Sequence, residues 1–318
     1  MRKCLLGFGL LLMLAGTAMA QPCGQRVMRI VVPFPPGGSY DILARSIAQG
    51  LSEKWSQQVL VENRSGGNGE VGTAAVAGAA PDGCTLLFWG DGILISQGLV
   101  KNRAVDAIKS FAPVTLVART AQALVARADF RAKTLPALIE GSKQPGADIR
   151  YATAGIGTPG HLAVELLNAK SGSKLRHVPY RGGALALNDL LSGQIELVST
   201  GLPALIGHVQ AGGIIALAVS PEKRMAVLPQ VPAMRETVPD AFLDTWYGFL
   251  APAGTPDAVT AQLHQDIAAI MRAPTLASRL QEQGFELVDL GPGELRDLMM
   301  RDLPRWLEII SVAGLKNE

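Results

Sequence analysis

Among 318 residues there are only three cysteines, and 5% of the chain is aromatic. No cysteine forms a CxxC pair, and the four histidines, His161, His177, His208 and His264, are scattered without an HExxH spacing, so a zinc centre has no basis. No serine sits in a GxSxG elbow, and no two carboxylates are set apart by context as acid and base, which argues against a hydrolase. Beyond the first 20 residues there is no apolar run of the roughly 20 residues that a membrane helix needs. Internal repeats and low-complexity segments are missing too.

The beginning of the chain reads as an address. Arg2 and Lys3 precede an apolar stretch from Leu5 to Ala15, and Ala18-Met19-Ala20 forms a small-x-small cleavage site, the layout of a secretory signal peptide over residues 1–20. This predicts export to the periplasm and a mature chain from Gln21. Cleavage removes two of the 29 Lys+Arg and none of the 27 Asp+Glu, so the mature chain is formally neutral. That balance gives no support to nucleic-acid binding or to a polybasic membrane contact. Cys4 leaves with the leader. Cys23 and Cys84 remain, an even count in an exported chain, and a disulfide between them is expected, with two buried thiols as the alternative.

The length exceeds a usual single core of about 100–200 residues, so two domains are expected. Short β-rich runs alternate with helical patterns: strands at Val59–Asn63, Thr85–Trp89, Leu124–Ala126, Arg150–Thr153, Leu175–Pro179, Ile195–Ser199 and Ile214–Val219, with helices between them. The C-terminal quarter reads as mostly helical, and the alternation predicts parallel α/β sheets.

Two loops stand out within that pattern. Met28–Val32 runs into Pro33-Phe34-Pro35-Pro36-Gly37-Gly38-Ser39-Tyr40-Asp41, and a helical pattern starts at once with Ile42. A strand, a proline-stiffened glycine loop and a helix start in series aim backbone N–H groups and a positive dipole end at an anion, although Ser39 or Asp41 could equally cap the helix. The second loop, Thr153 to His161, again joins strand to helix, with Thr158 as N-cap and Pro159 at the first helical position. Gly155 to Gly160 fits the dinucleotide pattern GxGxxG, but so does Gly67 to Gly72, and no acidic residue ends the strand at Tyr180-Arg181 to hold a ribose. Dinucleotide binding is therefore set aside. Small residues also close the strands before Gly182-Gly183 and at Ser199-Thr200-Gly201, and in parallel α/β sheets such ends face one ligand crevice. Arg181 could clamp a charge there or stand solvated on the surface.

The stretches Pro33–Asp41, Val61–Arg64, Ala80–Leu86, Ser110–Val114, His177–Gly182, Leu228–Pro232 and Trp246–Pro256 resemble, in order along the chain, the blocks of the Bug receptors, the TctC family of extracytoplasmic solute receptors of tripartite tricarboxylate transporters. The resemblance implies an α/β, type II-like two-lobed periplasmic binding protein, each lobe a mainly parallel sheet flanked by helices. Residues 21–121 and 246–318 would form lobe one and residues 122–245 lobe two, with crossings near Ala121–Gln122 and Asp244–Trp246. It implies a monomeric receptor rather than an enzyme, without cofactor or metal, that captures a small organic carboxylate and delivers it to a TctA/TctB-type membrane permease. A sensor that presents its ligand to a membrane histidine kinase, or an enzyme working in the same crevice, are the other readings.

By this resemblance the ligand contacts are Phe34, Pro36, Gly37, Gly38, Ser39 and Asp41 from lobe one. From lobe two they are Thr153, Gly155, Gly157, Thr158, His161, Tyr180, Ser199 and Thr200. The charge of Asp41 would repel a carboxylate, so a capping role is its alternative. The chain departs from the family pattern at Ile156, at Ser199-Thr200-Gly201 where an acidic residue is common, and at Trp89-Gly90-Asp91-Gly92. Without an acid near Thr200 a ligand's ammonium lacks a partner, so organic acids without an amino group are expected to be preferred, unless Asp91 reaches the pocket.

Overall fold

The computed structural model describes residues 23–24, 26–100 and 105–315; the expected leader, residues 1–20, lies outside them. β1 (Met28–Val32) leads through the proline loop into α1 (Ser39–Trp55), and the order repeats in β2 (Val59–Asn63) with α2 (Glu70–Ala77) and β3 (Thr85–Gly90) with α3 (Gly92–Leu99). β4 (Phe111–Thr120) continues through Ala121 into β5 (Gln122–Arg127), yet the two strands belong to different sheets. Then come α4 (Leu135–Lys143), β6 (Arg150–Thr153), α5 (Pro159–Ser171), β7 (Arg176–Pro179), α6 (Gly183–Leu191), β8 (Leu197–Gly201), α7 (Ile206–Gln210) and β9 (Ile214–Val219). After α8 (Met234–Thr237) the chain returns through β10 (Thr245–Pro252), α9 (Asp257–Met271), α10 (Pro274–Glu282), β11 (Glu286–Leu290) and α11 (Pro292–Val312).

Lobe one is built on a six-stranded sheet ordered β11-β4-β10-β3-β1-β2, and lobe two on a five-stranded sheet ordered β7-β6-β8-β5-β9. The sheets are mixed, not mainly parallel as expected. β1 pairs in parallel with β2 and β3, and β6 with β7 and β8. All pairings of β10, β11 and β5 are antiparallel. The difference comes from strands that the pattern hides. β10 is buried at every position and so has no alternation to read, and β4 carries Pro113 next to a register shift, where a proline can be accommodated in a strand. α1 shows how each lobe packs: Leu43, Ile47 and Leu51, spaced at i, i+4, i+8, are buried against the sheet core with Ile30, Phe88 and Phe249. Full burial of one such side chain is worth roughly 1.5–3 kcal/mol.

The expected Cys23–Cys84 disulfide is not formed. Both cysteines are free and buried, in side-chain hydrogen-bond contact with each other. Burial pushes both thiols up, which favours their protonated form. This is the alternative of two buried thiols, held where the Cys84 amide donates to Asp82 Oδ1 at 2.9 Å.

Two buried titratable features lie close to the lobes' meeting line. Asp91, between β3 and α3, is 0% exposed, and neither carboxyl oxygen has a well-formed hydrogen bond. Burial raises its pKa well above the ordinary range, and the nearby Trp246 and Gly92 amides offset this only in part. In lobe two His161 of α5 stacks on His177 of β7 with ring centroids 3.9 Å apart. Burial holds both neutral, with pKa values down to about 3 for His161, which also feels His177, and about 4 for His177.

These groups give opposite pH signatures. The folded chain keeps the Asp91 proton above pH ~3.9, where the unfolded chain loses it, so stability falls as pH rises from there toward the raised folded pKa. Asp91→Asn removes this penalty. Its stability relative to wild type, from urea unfolding at several pH values, should rise as pH increases above ~3.9. A constant difference would mean that Asp91 is ionised in the fold. The histidines act the other way: below pH ~6.5 the unfolded chain binds protons that the folded chain refuses, and stability is lost as pH falls toward 4. His177→Phe keeps the stacking and should gain on wild type by roughly 1–2 kcal/mol between pH 6.5 and 5. Parallel pH profiles for the two proteins would count against a buried neutral pair.

Candidate functional site

The proline loop after β1 is shaped by main-chain bonds. Gly37, at φ +87°, turns the chain in a region that glycine enters without cost. Its amide donates to Asp41 Oδ2 at 3.0 Å. The same carboxylate accepts Arg45 Nε at 3.0 Å and Asn63 Nδ2 at 3.0 Å, and Asn63 Nδ2 also donates to the Phe34 carbonyl at 3.0 Å. Burial alone would raise the Asp41 pKa, but these hydrogen bonds from Arg45, Gly37 and Asn63 hold it below the ordinary value. Asp41 thus bolts the loop to α1 and to the end of β2, and it does not wall the cleft. The N-cap of α1 is Gly38, with no side-chain cap, so the first-turn amides keep their donor capacity.

Lobe two repeats the device. α5 starts at Pro159 with Thr158 as N-cap, as its sequence predicts, but the Thr158 hydroxyl turns away from its helix and donates to the Gly155 carbonyl at 2.9 Å. Gly155 and Gly157, at φ +145° and +71°, form the tight loop. Thr153 Oγ1 accepts the Gly155 amide at 3.2 Å and lies 2.7 Å from His177 Nε2, while His161 Nδ1 accepts the Gly157 amide at 3.0 Å. α6 begins at Gly183 behind Gly182, again without a side-chain cap.

These helix starts face one another. Between the lobes lies a cavity of about 50 Å³, walled by Phe34, Gly38 and Ser39 from the first loop and by Thr158, Ser199 and Thr200 from lobe two. Gly160 and Gly183, from the first turns of α5 and α6, also line its lobe-two side with Ala154, Pro159 and Gly201, and Tyr40, Gln122 and Tyr247 join it near the crossing strands. No residue around it carries a charged side chain. Ser199 Oγ is buried without a hydrogen-bond partner. Ser39 Oγ donates to the Gly201 carbonyl at 3.3 Å, so a direct bond holds one lobe against the other. A space of that size is filled by one or two waters; the lobes must part before an organic acid can enter.

Of the residues expected from sequence, Phe34, Gly38, Ser39, Thr158, Ser199 and Thr200 meet at this cavity. Tyr180 walls a second, outer cavity, its phenol donating to Asp189 Oδ2 at 2.7 Å. Gly157 packs with Ile156 against Leu99 beneath the cleft. Pro36 and Gly37 are exposed, Gly37 towards Ala184 of lobe two, and Asp41, Thr153, Gly155 and His161 stand behind the loops as braces. Asp91 borders neither cavity. Sequence reasoning did not name Gln122 and Tyr247 as cavity residues, although Gln122 lies at an expected crossing and Tyr247 within the Trp246–Pro256 block. It also missed the wall formed by Gly201, although that glycine closes a strand in the Ser199-Thr200-Gly201 run.

The same architecture occurs in known proteins. Protein BugT of Bordetella pertussis is 30% identical over 322 residues, covering 99% of both chains. The solved periplasmic binding protein BugD superposes with a TM-score of 0.88 at 33% identity, over 92% of this chain and 99% of that one. R. palustris Rpa4515, solved with adipate, gives a TM-score of 0.88 at 32% identity, again over 92% and 99%. Residues 43–315 match the tripartite tricarboxylate transporter family receptor, and the chain belongs to this TctC family of solute-binding receptors.

Proposed function

We propose that the protein works in the periplasm as the receptor of a tripartite tricarboxylate-type transporter, closing its two lobes on a small organic carboxylate and passing it to a TctA/TctB-type permease. The observation that carries this reading is the meeting of three helix starts without side-chain caps, those of α1, α5 and α6, around a cavity that has no charged side chain. Backbone N–H groups with positive dipole ends attract an anion there without any cation. The unpartnered Ser199 hydroxyl adds a donor at the wall. The adipate held by Rpa4515 is of the same chemical class. A ligand that touches both lobes favours the shut state and so drives closure; the shut state is the shape that a permease can recognise.

Two measurements test this reading. Against a panel of organic acids, ligand-stripped protein should gain several degrees in melting temperature, since a ligand at about 100 times Kd adds roughly 2.7 kcal/mol. Calorimetric titration should then rank succinate above aspartate, because the cavity offers an ammonium no acidic side chain. No shift with any acid would remove the carboxylate reading, and tighter binding of aspartate would remove the preference. Gly201→Val tests closure itself. A Cβ at Gly201 would sit 2.3 Å from Ser39 Oγ and 3.2 Å from Tyr247 Oη, both in lobe one, while the backbone there (φ −57°) suits any residue. Each lobe should fold as before, judged by circular dichroism, while ligand affinity drops by at least about tenfold, or ~1.4 kcal/mol. Full affinity in this variant would mean that binding does not need the lobes to shut.

A further inference from the structure

Outside the inner cavity lies a larger one, of about 400 Å³, at the mouth of the cleft. The two share Phe34, Pro35 and Ala154 as walls, so they adjoin along the cleft. Lobe one supplies the turn Ser65 to Gly69 on one side, and lobe two supplies Tyr180 and Arg181 on the other. Gly66, Gly67, Asn68 and Gly69 have φ values of +136°, +53°, +52° and +95°, so this side presents mostly main chain to the space. No wall residue is acidic, and Arg181 is the one with a charge. It is exposed and makes no hydrogen bond or ion pair among the described residues. The acid nearest along the chain, Asp189, is already engaged by the Tyr180 phenol.

An unpaired guanidinium with five donors, set in a cavity without a competing carboxylate, is a match for an anionic group. Its place fixes which one. A ligand whose first carboxylate lies at the helix starts can only reach Arg181 with a group at its far end, by passing Phe34 and Ala154. Building on the carboxylate-receptor reading above, we infer that Arg181 holds the distal carboxylate of an elongated α,ω-dicarboxylic acid. Arg181 is then the residue that distinguishes diacids from monoacids of equal length, while the inner cavity recognises the carboxylate common to both.

Calorimetric titration of the purified protein with adipate and with hexanoate separates the two contributions, because these acids share a six-carbon skeleton and differ only in the far carboxylate. Wild type should bind adipate on the order of fivefold more tightly than hexanoate, as suits a partly solvated ion pair. That ratio should shrink as salt rises. Arg181→Gln should bring it close to one, and Arg181→Lys should restore much of it. A ratio that survives Arg181→Gln, or a wild type that does not prefer adipate, overturns the inference while leaving the receptor reading intact. If wild type binds neither these acids nor any other carboxylate, the receptor reading falls and the inference falls with it.

Discussion

Everything in the cleft hangs from one seam. β4 and β5 are a single extended run broken only at Ala121, and β10 lies antiparallel beside β4 with Thr245 opposite Thr120. The Thr245 hydroxyl donates to the Thr120 carbonyl at 2.7 Å, the Leu202 amide to the Ala121 carbonyl at 2.9 Å, and the Ser220 amide to the Gln122 carbonyl at 2.8 Å. The Gln122 amide in turn donates to Ser220 Oγ at 3.0 Å. Buried backbone groups cannot be left unpaired without cost, so this lattice fixes where the chain leaves one sheet and enters the other. Two extended crossings side by side permit a rocking of the lobes about the seam but little sliding. Ser39 and the Gly201 carbonyl, hydrogen-bonded across the lobes, lie beside that seam.

The scarce aromatics are concentrated where that motion ends. Phe34 stacks on Tyr40 at 5.4 Å, Tyr40 leans on Tyr247 at 4.7 Å, and Phe34 meets Trp89 edge-on at 5.7 Å. Ring pairs of this kind contribute about 0.5–1.5 kcal/mol beyond their burial. Behind them Asp41, Asn63 and Arg45 tie the proline loop from the opposite side. The lobe-one wall is thus stiff before any ligand arrives, and little ordering cost is left for binding.

How much of this was legible depended on the kind of signal. Glycine, proline and small hydroxyl residues mark strand-to-helix turns through backbone chemistry, so the two loops and the Thr158-Pro159 helix start could be read directly. The alternation of elements and the family blocks carried the two-lobed α/β fold. Strand direction was not legible, because a fully buried strand such as β10 has no two-residue rhythm and β11 is a short edge strand between two helices. Cysteine parity likewise says nothing about geometry, and Cys23 and Cys84 are neighbours as thiols. Within the site, sequence could name the loops but not which residues face inward: Asp41 and His161 lie in the right segments and turn their side chains to the loops' backs. That Gln122 and Tyr247 face the cavity was not legible, because only the seam brings them there.

The absence of charged side chains around the inner cavity bears on how such a receptor diversifies. A donor that belongs to the main chain is deleted only by a change to proline; with any other substitution the amides in the first turns of α1, α5 and α6 persist. On the proposed reading, substitutions at Phe34, Ser199 or Thr200 can therefore alter the preferred carbon skeleton while the hold on the carboxylate stays in place. Recognition of the proposed anion would then be inherited with the fold, and recognition of everything attached to it would be free to drift.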